Sequence, residues 1–595
     1  MSGRLVTWFA LAGVTGLVAC SSATPKPIDN AAGAHVLLVG TYKGHAGRYP
    51  TIQAAVDAAK PGDWVLIAPG DYHERYDRSV PVGEHASSGV WVAKPGVRIR
   101  GMDRNAVVID GTKPGAPRCS TRAGDQDFGR VDAKGKPVGR NGLEVWKASG
   151  GSIENLTVCN FLSGSQGGGN QIWWNGGDGS GAIGLHAYNG GYLSATTTYA
   201  GAGGDGSYGI FVSNSDGPGV VAHSYASNMS DSGYYIGACR GCNATLDDAH
   251  AQYSALGYSG TNSGGHLLVQ NSEFDHNKTG FATNSQNNDD APSPQDGACP
   301  SRGIGPTGTR SCWIFQHNFV HDNNTPNVPG RGTADLGPPG TGLVISGGRN
   351  DTVIENRFEN NGSWAVLVVP FPDTGTPPPI AHCQGGDPNG VPGLGIKGCY
   401  FDTWGNDIAH NTFKNNGGFG NPTNGDLAEL SALHTPGNCW HENVDPAGVT
   451  SAPPRLQETN GTCGVAHAGA QLGSTLTAQV ICATEVFGPC PPKRGTAYPR
   501  RAKVVLPALT LQLSMPNPCA GVPDNSWCTK SGPIAATILP LPLLGLALPL
   551  RRYRITPLPV TSGRSSTESR PGGAAHTAGM AFTSRPAVPM TPGSP

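Results

Sequence analysis

The chain repeats a glycine followed by alternating apolar residues at a nearly fixed interval. The starts are 25, 24, 24 and 23 residues apart and fall at Gly184, Gly209, Gly233, Gly257 and Gly280. A period of this length is typical of proteins built from stacked structural repeats. In residues 209–212, alternation puts Ile210 and Val212 on one side of an extended chain and Phe211 on the other. The repeat therefore predicts short strands that stack coil upon coil into parallel sheets around one long core.

A second pattern combines asparagine with phenylalanine. It occurs in residues 269–277, 354–361 and 408–416, and residues 313–324 form a looser copy that carries Phe319. We interpret each copy as a strand, a corner asparagine, an inward phenylalanine and a second corner, because asparagine tolerates the left-handed backbone of tight corners. Equivalent asparagines of successive coils are expected to stack as ladders. The inward rings are predicted to be Phe274, Phe358 and Phe413.

The composition favours uncharged loops. Only 14% of the 595 residues are charged, the net charge is −1, and glycine (88) and proline (50) are abundant without a collagen period. The sequence has no basic stripe, so we expect no nucleic-acid partner. We expect a monomer.

The first residues have the pattern of an export signal. Arg4 precedes an apolar run, and residues 17–20 end in Cys20 and resemble a bacterial lipobox. The resemblance implies a signal peptide over residues 1–19, a lipid on Cys20, and a flexible tether over residues 20–34. The protein would then be exported and held at the cell membrane by its lipid, or be extracellular.

The cysteines agree with export. There are 15, and 14 remain when Cys20 is set aside. In an oxidising compartment an even number indicates disulfides, although sequence does not determine their connectivity. Our working hypothesis pairs sequence neighbours: Cys119/Cys159, Cys239/Cys242, Cys299/Cys312, Cys383/Cys399, Cys439/Cys463, Cys482/Cys490 and Cys519/Cys528.

Residues 49–111 begin like the capped end of a solenoid. Ile52, Ala55, Val56 and Ala59 have helical spacing, and three apolar strands follow within residues 64–67, 97–101 and 107–111. A helix at this place would cover the open end of the core. Residues 49–74 and 97–111 resemble the N-terminal cap and first coils of the pectin-lyase-like superfamily, and are most similar to the start of pectin methylesterases.

The resemblance implies an all-β fold, a right-handed single-stranded parallel β-helix with an N-terminal helical cap. With the repeat it covers roughly residues 35–450. We expect a disulfide-braced C-terminal cap over residues 451–532, then an apolar proline-rich segment and a disordered tail over residues 533–595. Residues 534–550 are apolar, but three prolines count against a membrane-spanning helix.

The esterase chemistry of that family is not predicted. Residues 125–129 (Asp-Gln-Asp-Phe-Gly) are only a superficial echo of the esterase motifs, in a loop rich in glycine and lysine. We interpret Tyr72 and Glu74, which match the family's Gly-x-Tyr-x-Glu strand, as cap residues. Cys239 and Cys242 form a lone C-x-x-C, which favours a tight corner disulfide over a metal or redox site.

A lyase or hydrolase site is predicted near the interruption of the repeat at residues 284–313. β-Elimination from a uronate needs a base, and often Ca²⁺ bound by clustered carboxylates. The catalytic candidates are His276, Lys278, Asp289 and Asp290, of which Asp289 and Asp290 are also candidate Ca²⁺ ligands. Stacking should place His276 beside Tyr253 and Glu273 beside His250. The candidate ligand-binding residues are Asn287, Asp247, Asp248, His250 and Tyr253.

Two functions remain open from the sequence. The first is a carbohydrate-active enzyme of the cell envelope, and the second is a non-catalytic carbohydrate-binding, adhesion or structural solenoid. The expected partner in both is a polysaccharide, and aromatic residues around Trp173, Tyr208 and Tyr235 suit sugar binding. Metal delivery is a weaker third hypothesis, because the sequence has no Met/His cluster.

Overall fold

The computed structural model describes residues 33–76, 86–177, 181–286, 312–373, 383, 385–392, 398–485 and 498–529. Over these ranges the chain winds into coils whose strands form two parallel sheets, one of 18 strands and one of 11. The parallel pairing confirms the expected all-β parallel β-helix.

The elements of the fold have the following bounds. The first sheet contains β1 (Val36–Val39), β4 (Trp64–Ile67), β5 (Gly70–Tyr72), β7 (Arg98–Gly101), β8 (Val107–Asp110), β10 (Gly151–Cys159), β14 (Leu185–Thr196), β16 (Ser215–Ser227), β18 (Ala244–Gln252), β20 (Leu267–Gln270), β21 (Glu273–Asp275), β23 (Trp313–Gln316), β24 (Phe319–His321), β26 (Thr352–Ile354), β27 (Arg357–Glu359), β31 (Asp407–Ala409), β32 (Thr412–Lys414) and β34 (Cys439–His441). The second sheet contains β6 (Ser87–Val92), β9 (Arg140–Trp146), β13 (Ile172–Asn175), β15 (Tyr208–Ser213), β17 (Ser232–Gly237), β19 (Leu256–Thr261), β22 (Thr279–Asn284), β25 (Thr341–Ser346), β28 (Trp364–Val369), β33 (Gly425–Glu429) and β35 (Ser451–Ala452).

The remaining elements are short antiparallel strand pairs and helices. Three antiparallel pairs are β2 (Thr41–Tyr42) with β3 (His45–Ala46), β11 (Ser163–Gly164) with β12 (Gly167–Gly168), and β29 (Phe371–Asp373) with β30 (Cys399–Phe401). The α-helices are α1 (Ile52–Ala58), α2 (Leu456–Thr459) and α3 (Thr475–Thr484), and 3₁₀ turns span Ala123–Asp125 and Gly332–Leu336.

The first sheet bends at a corner in every coil, which divides it into a first arm and a second arm. Strands β10, β14, β16 and β18 run through the corner, and their corner residues have positive φ: Asn155, Tyr192, His223 and Asp248. In the later coils the corner separates two short strands, such as β20 and β21 on either side of Asn271. A left-handed residue turns the chain within one position, so the coil stays compact.

Asparagine ladders stabilise these corners, as predicted. At the corner between the arms, Asn318 donates to Asn356 (3.1 Å) and Asn356 donates to Asn411 (3.0 Å). A second asparagine ladder, after the second arm, joins Asn277, Asn323 and Asn361, with nitrogen–oxygen distances of 3.1 and 3.2 Å between side chains. All are buried, so each amide satisfies polar groups that would otherwise lack partners.

The glycine repeat is confirmed in four of its five places. Gly209, Gly233, Gly257 and Gly280 lie in successive strands of the second sheet, and a side chain there would meet the backbone of the next coil. Gly184 does not belong to this column, because it directly precedes β14 of the first sheet. Its own coil contributes β13 to the second sheet, without a glycine before Ile172.

The core lies between the sheets. Phe274, Phe358 and Phe413 are fully buried, as predicted. The looser copy differs, because Val320 pairs with Phe274 and Phe358 and takes the inward place. Phe319 faces outward, with its ring 3.8 Å from the Arg357 guanidinium.

The N-terminal coils carry the expected helix α1. The Thr51 hydroxyl accepts a hydrogen bond from the Ala54 amide, which caps the helix. The buried Glu74 carboxylate accepts from the amides of Ile52 and Gln53, at 2.7 and 3.1 Å. Glu74 therefore holds the first turn of α1 against the first coil.

The segment of residues 498–529, here the C-terminal strap, runs back along the solenoid. Arg501 pairs with Asp335, Asn228 donates to the Pro507 carbonyl, and Asn155 accepts from the Met515 amide. Near the end of the strap, Trp527 is buried and donates to the His45 carbonyl (2.8 Å). The strap thus passes from the later coils to the first coil.

Five of the seven predicted disulfides are present among the described residues. They are Cys119–Cys159, Cys239–Cys242, Cys383–Cys399, Cys439–Cys463 and Cys519–Cys528. Cys312 and Cys482 are also disulfide-bonded, and their predicted partners Cys299 and Cys490 lie outside the described residues. Such bonds fit an oxidising compartment. Among the described residues, no helix has both the length and the hydropathy needed to cross a membrane.

Cys528, within the segment of residues 451–532, lies at the end of the strap against the first coils. Cys528 is bonded to Cys519 within the strap and is 5% exposed. It packs in an apolar cluster with Trp64, Leu66 and Met102 of the first coils, not behind the last coil. The physical reason is burial, because this place removes apolar side chains of the strap and of the first coils from water together. The bond between Cys519 and Cys528 therefore braces the end of the strap at the first coils.

Candidate functional site

Imidazoles and carboxylates of three successive coils meet on the outer face of the second arm. The register pairs His250 of β18 with Glu273 of β21, and Asp275 of β21 with His321 of β24. Because Phe274 points inward, its neighbours Glu273 and Asp275 point outward. We call the set His250, Glu273, Asp275, His276 and His321 the imidazole–carboxylate cluster.

Asp275 is at the centre of the cluster. Its Oδ1 lies 2.6 Å from His250 Nε2, and its Oδ2 accepts from the Gln252 amide (2.7 Å) and contacts His276 Nδ1. The Asp275 side chain is 4% exposed, whereas the His276 side chain is 46% exposed. A buried carboxylate therefore fixes two imidazoles, one of which is open to solvent.

A second imidazole–carboxylate pair adjoins the first. His321 Nε2 lies 2.9 Å from Glu273 Oε1, and His321 Nδ1 lies 2.8 Å from Asp322 Oδ2. The Phe319 ring stacks on the His321 ring at 3.9 Å between centroids. Both nitrogens of His321 are thus engaged by carboxylates, and its ring is held flat against an aromatic face.

Tyrosines flank the cluster. The Tyr253 ring lies 5.4 Å from the His276 ring, as the repeat spacing predicted. On the other side, Tyr225 is buried, meets the His250 ring edge-on at 5.4 Å, and donates to Gln252 Oε1 (3.1 Å). The cluster therefore has a phenol beside its most exposed imidazole.

The hydrogen bonds set the charges. Burial alone would raise the pKa of Asp275, but hydrogen bonds with His250, Gln252 and His276 hold it below its ordinary value. The hydrogen bond with His321 lowers the pKa of Glu273. Burial opposes the proton on His321, yet Glu273 and Asp322 raise its pKa overall. Both carboxylates of the cluster are therefore ionised at neutral pH.

Other predicted site residues lie apart from these contacts. Asp247 accepts from the Asn271 amide (2.8 Å), and Asp248 pairs with His223 (2.6 Å) at the corner between the arms. Lys278 donates to the Asp335 carbonyl, and burial lowers its pKa. Asn287, Asp289 and Asp290, with the proposed Ca²⁺ site, lie outside the described residues.

Two members of the cluster were missed by sequence reasoning. Asp275 follows Phe274 directly, and His321 lies in the looser copy of the repeat, within residues 313–324. Aligning Val320 with Phe274 would have placed His321 beside Asp275, as the register does. The repeat does not reveal this pairing, because aligning Phe319 with Phe274 shifts the register by one residue.

A cavity of about 700 Å³ lies in the later coils, separate from the cluster in sequence. Its lining includes Arg349, Asp402, Trp404 and His434. The Arg349 guanidinium lies 3.5 Å from the Trp404 ring centroid, and His434 Nε2 lies 2.8 Å from Asp402 Oδ2. These contacts brace the walls of the cavity.

Comparison with known proteins gives structural likeness only. No family model and no curated protein matches the chain. The structure is similar to the A-module of the mannuronan C-5 epimerase AlgE4 of Azotobacter vinelandii, with 14% identity, a TM-score of 0.38, and coverage of 66% of this chain and 90% of that one. It is also similar to an alginate lyase from Paenibacillus sp., with 12% identity, a TM-score of 0.29, and coverage of 64% and 95%. A third similar structure is the pectate lyase Pel9A, with 12% identity, a TM-score of 0.31, and coverage of 57% and 77%. The strand pairing of the chain itself is that of a parallel β-helix.

Proposed function

We propose that the protein processes a polysaccharide of the cell envelope, with the imidazole–carboxylate cluster as its catalytic centre. The observation that supports this most is the contact of buried Asp275 with both His250 and the half-exposed His276. A carboxylate that orients an imidazole is a recurrent arrangement for general-base catalysis. The outer face of a long solenoid also suits a linear polymer.

The charges favour elimination over hydrolysis. Glycoside hydrolysis needs a carboxylic acid whose raised pKa keeps its proton for the leaving group. The pKa values of Glu273 and Asp275 are instead lowered, so neither supplies that proton. In β-elimination His276 would take the proton at C5 of a uronate, the C4–O bond would break, and a double bond would form between C4 and C5. Tyr253 would protonate the departing oxygen.

The test is a panel of uronate polymers assayed for unsaturated ends by their ultraviolet absorbance. His276→Asn should lower the rate by about 10²- to 10⁴-fold, the usual contribution of a general base. Asparagine tolerates the positive φ of position 276, so the fold should persist.

His410→Asn is the matched control. His410 also has a positive φ, pairs with a carboxylate (Glu442, 2.7 Å) and is 45% exposed, but it lies in a later coil. Its variant should keep the wild-type rate. Equal rates for wild type and His276→Asn on every cleaved polymer would contradict the assignment.

A non-catalytic binding function is the second candidate, favoured by aromatic rings on the outer face of the second sheet. Trp173 stacks on Phe211 at 5.0 Å between centroids, and Tyr208 stacks on Phe211 at 4.2 Å. All three side chains are partly exposed, and such aromatic faces can stack on sugar rings. Polymer binding without product, together with weaker binding by Trp173→Ala, would support this function over the enzyme.

We further propose that Cys20 carries a lipid that anchors the exported protein to a membrane. The support is the lipobox-like sequence of residues 17–20. Cys20→Ser should release the protein into the soluble fraction, and mass spectrometry should find lipid on wild-type Cys20. An unmodified Cys20 in the mature protein would contradict the proposal.

A further inference from the structure

We propose that His250, Glu273, Asp275 and His321 bind one divalent transition-metal ion of the zinc type. The site lies within the imidazole–carboxylate cluster. Only the role of the metal in catalysis rests on the proposed function. The metal itself can be tested without any polysaccharide. The donor set of two imidazoles and two carboxylates suits Zn²⁺ and its first-row neighbours better than Ca²⁺, which prefers oxygen ligands alone.

The donor atoms are already close. One ligand atom each of His250, Glu273 and Asp275 lies within 4.8 Å of the others. His250 Nε2 and Asp275 Oδ1 are 2.6 Å apart, and His321 Nε2 and Glu273 Oε1 are 2.9 Å apart. Tetrahedral zinc with bonds of about 2.1 Å separates neighbouring donors by roughly 3.4 Å. Each pair needs to open by less than about 1 Å to reach this spacing. His250, Glu273 and Asp275 form the close group, and His321 joins it as the fourth donor through its contact with Glu273.

The surroundings have the supporting contacts that metal ligands usually show. His321 Nδ1 bonds the Asp322 carboxylate at 2.8 Å, which directs Nε2 towards Glu273. Gln252 Nε2 donates to the second oxygen of Asp275 at 2.7 Å. A metal-bound imidazole typically donates its other nitrogen to a carboxylate, and such partners tune the affinity.

The backbone holds these side chains at fixed spacing. His250, Glu273, Asp275 and His321 come from three hydrogen-bonded parallel strands, and the inward neighbours Phe274 and Val320 are fully buried. The exposed fraction of the side chains rises from 4% for Asp275 to 44% for Glu273. One side of the site is therefore open, so a bound ion would keep a position for water or a polymer carboxylate.

The experiment is a calorimetric titration of the full chain, stripped of metal with a chelator, with Zn²⁺ and separately with Co²⁺. We expect one equivalent to bind, with a Co²⁺ absorption spectrum typical of mixed nitrogen and oxygen ligands. The double variant His250→Asn, His321→Asn should lose this binding. Asp322→Asn should weaken it by about 10- to 100-fold, as expected for a supporting contact.

His186→Asn is the control. His186 also pairs with a carboxylate, Asp216 at 2.5 Å, but it lies at the start of β14 on the first arm. Its variant should keep the wild-type affinity. Because position 322 has a positive φ that asparagine tolerates, Asp322→Asn should fold even if the double variant does not.

Two results would overturn the metal site: no binding by the wild-type protein, or an unchanged affinity in folded Asp322→Asn. Metal binding without polymer cleavage would leave the site standing and remove the proposed enzyme. Polymer cleavage by protein that binds no metal would support the proposed enzyme and overturn the metal site.

Discussion

At the scale of single residues, the loop that resembles an esterase motif has a structural role. Asp127 Oδ2 lies 2.6 Å from Arg75 and 2.9 Å from Arg140. The Arg140 side chain is 2% exposed and also donates to the Glu74 carbonyl, beneath the cap helix α1. Burial alone would raise the pKa of Asp127, but the charge of Arg140 and the hydrogen bonds from Arg75 lower it.

We expect Asp127→Asn to destabilise the protein by about 3–5 kcal/mol at neutral pH, because it removes the negative charge that pairs with a buried guanidinium. Because folding lowers the pKa of Asp127, its carboxylate contributes fully to stability above the unfolded pKa of about 3.9. This contribution is lost as the pH falls through the pKa of the folded protein. Chemical denaturation from pH 7 to pH 3 should therefore show a difference between wild type and variant that is constant near neutrality and shrinks in acid.

The exposed pair of Glu458 with Arg455 provides the control. Glu458→Gln should leave the denaturation midpoint nearly unchanged at pH 7. A wild-type advantage over Asp127→Asn that persists undiminished at pH 3 would show that charge is not the cause.

At the scale of elements, the outcome of sequence reasoning depends on the register. The inward Phe274, Phe358 and Phe413 are predicted because each follows a corner asparagine within two or three residues and precedes a second corner. The sequence does not show that Phe319 faces outward, because its copy has Val320 at the inward position where the others have phenylalanine. A one-residue shift moves a side chain to the opposite face.

Phe358→Ala should cost about 3–5 kcal/mol, because it opens a cavity in a closely packed core. Phe319→Ala should cost about 1 kcal/mol or less, since it removes contacts of an outward ring with the Arg357 guanidinium and the His321 ring. Urea denaturation of both variants makes the comparison. Similar losses for the two would show that the ring of Phe358 is not buried as described.

The candidate site was predictable only in part for the same reason. Residues one regular period apart, such as Tyr253 with His276 and His250 with Glu273, were placed correctly from the spacing. His321 is 46 residues beyond Asp275, because an insertion separates their coils. Periodicity gives no register across an insertion, so the cluster emerged only from the pairing of β21 with β24.

At the scale of the whole molecule, the C-terminal strap joins distant parts of the described chain. Its last residues, Val522, Trp527 and Cys528, are buried in the apolar cluster of the first coils. Arg100 reinforces this contact by donating to the Ala520 carbonyl at 2.6 Å. The sequence beyond residue 450 has no period, so the path of the strap is not predictable from it.

Trp527→Ala should lower the free energy of unfolding by about 3–5 kcal/mol, the usual cost of removing a buried aromatic side chain. It also removes the hydrogen bond to His45 and the edge-to-face contact with Tyr42. Leu513→Ala is the control, because Leu513 lies in the same strap but is 86% exposed, and it should change stability by about 0.5 kcal/mol or less. Thermal melts of the two variants that coincide would mean that the strap does not stabilise the first coils.

A stack of repeats normally behaves as a one-dimensional array, in which each coil is stabilised by its neighbours and the end coils fray first. The strap gives the first coil a neighbour that is some 480 positions away in sequence, as in the bond between Trp527 and His45. Opening the first coil then requires the release of the strap as well, and releasing the strap uncovers contacts at Asn155, Asn228 and Asp335. The strap therefore connects the first coil with coils further along the solenoid. Local unfolding of the first coil becomes coupled to the loss of contacts several coils away.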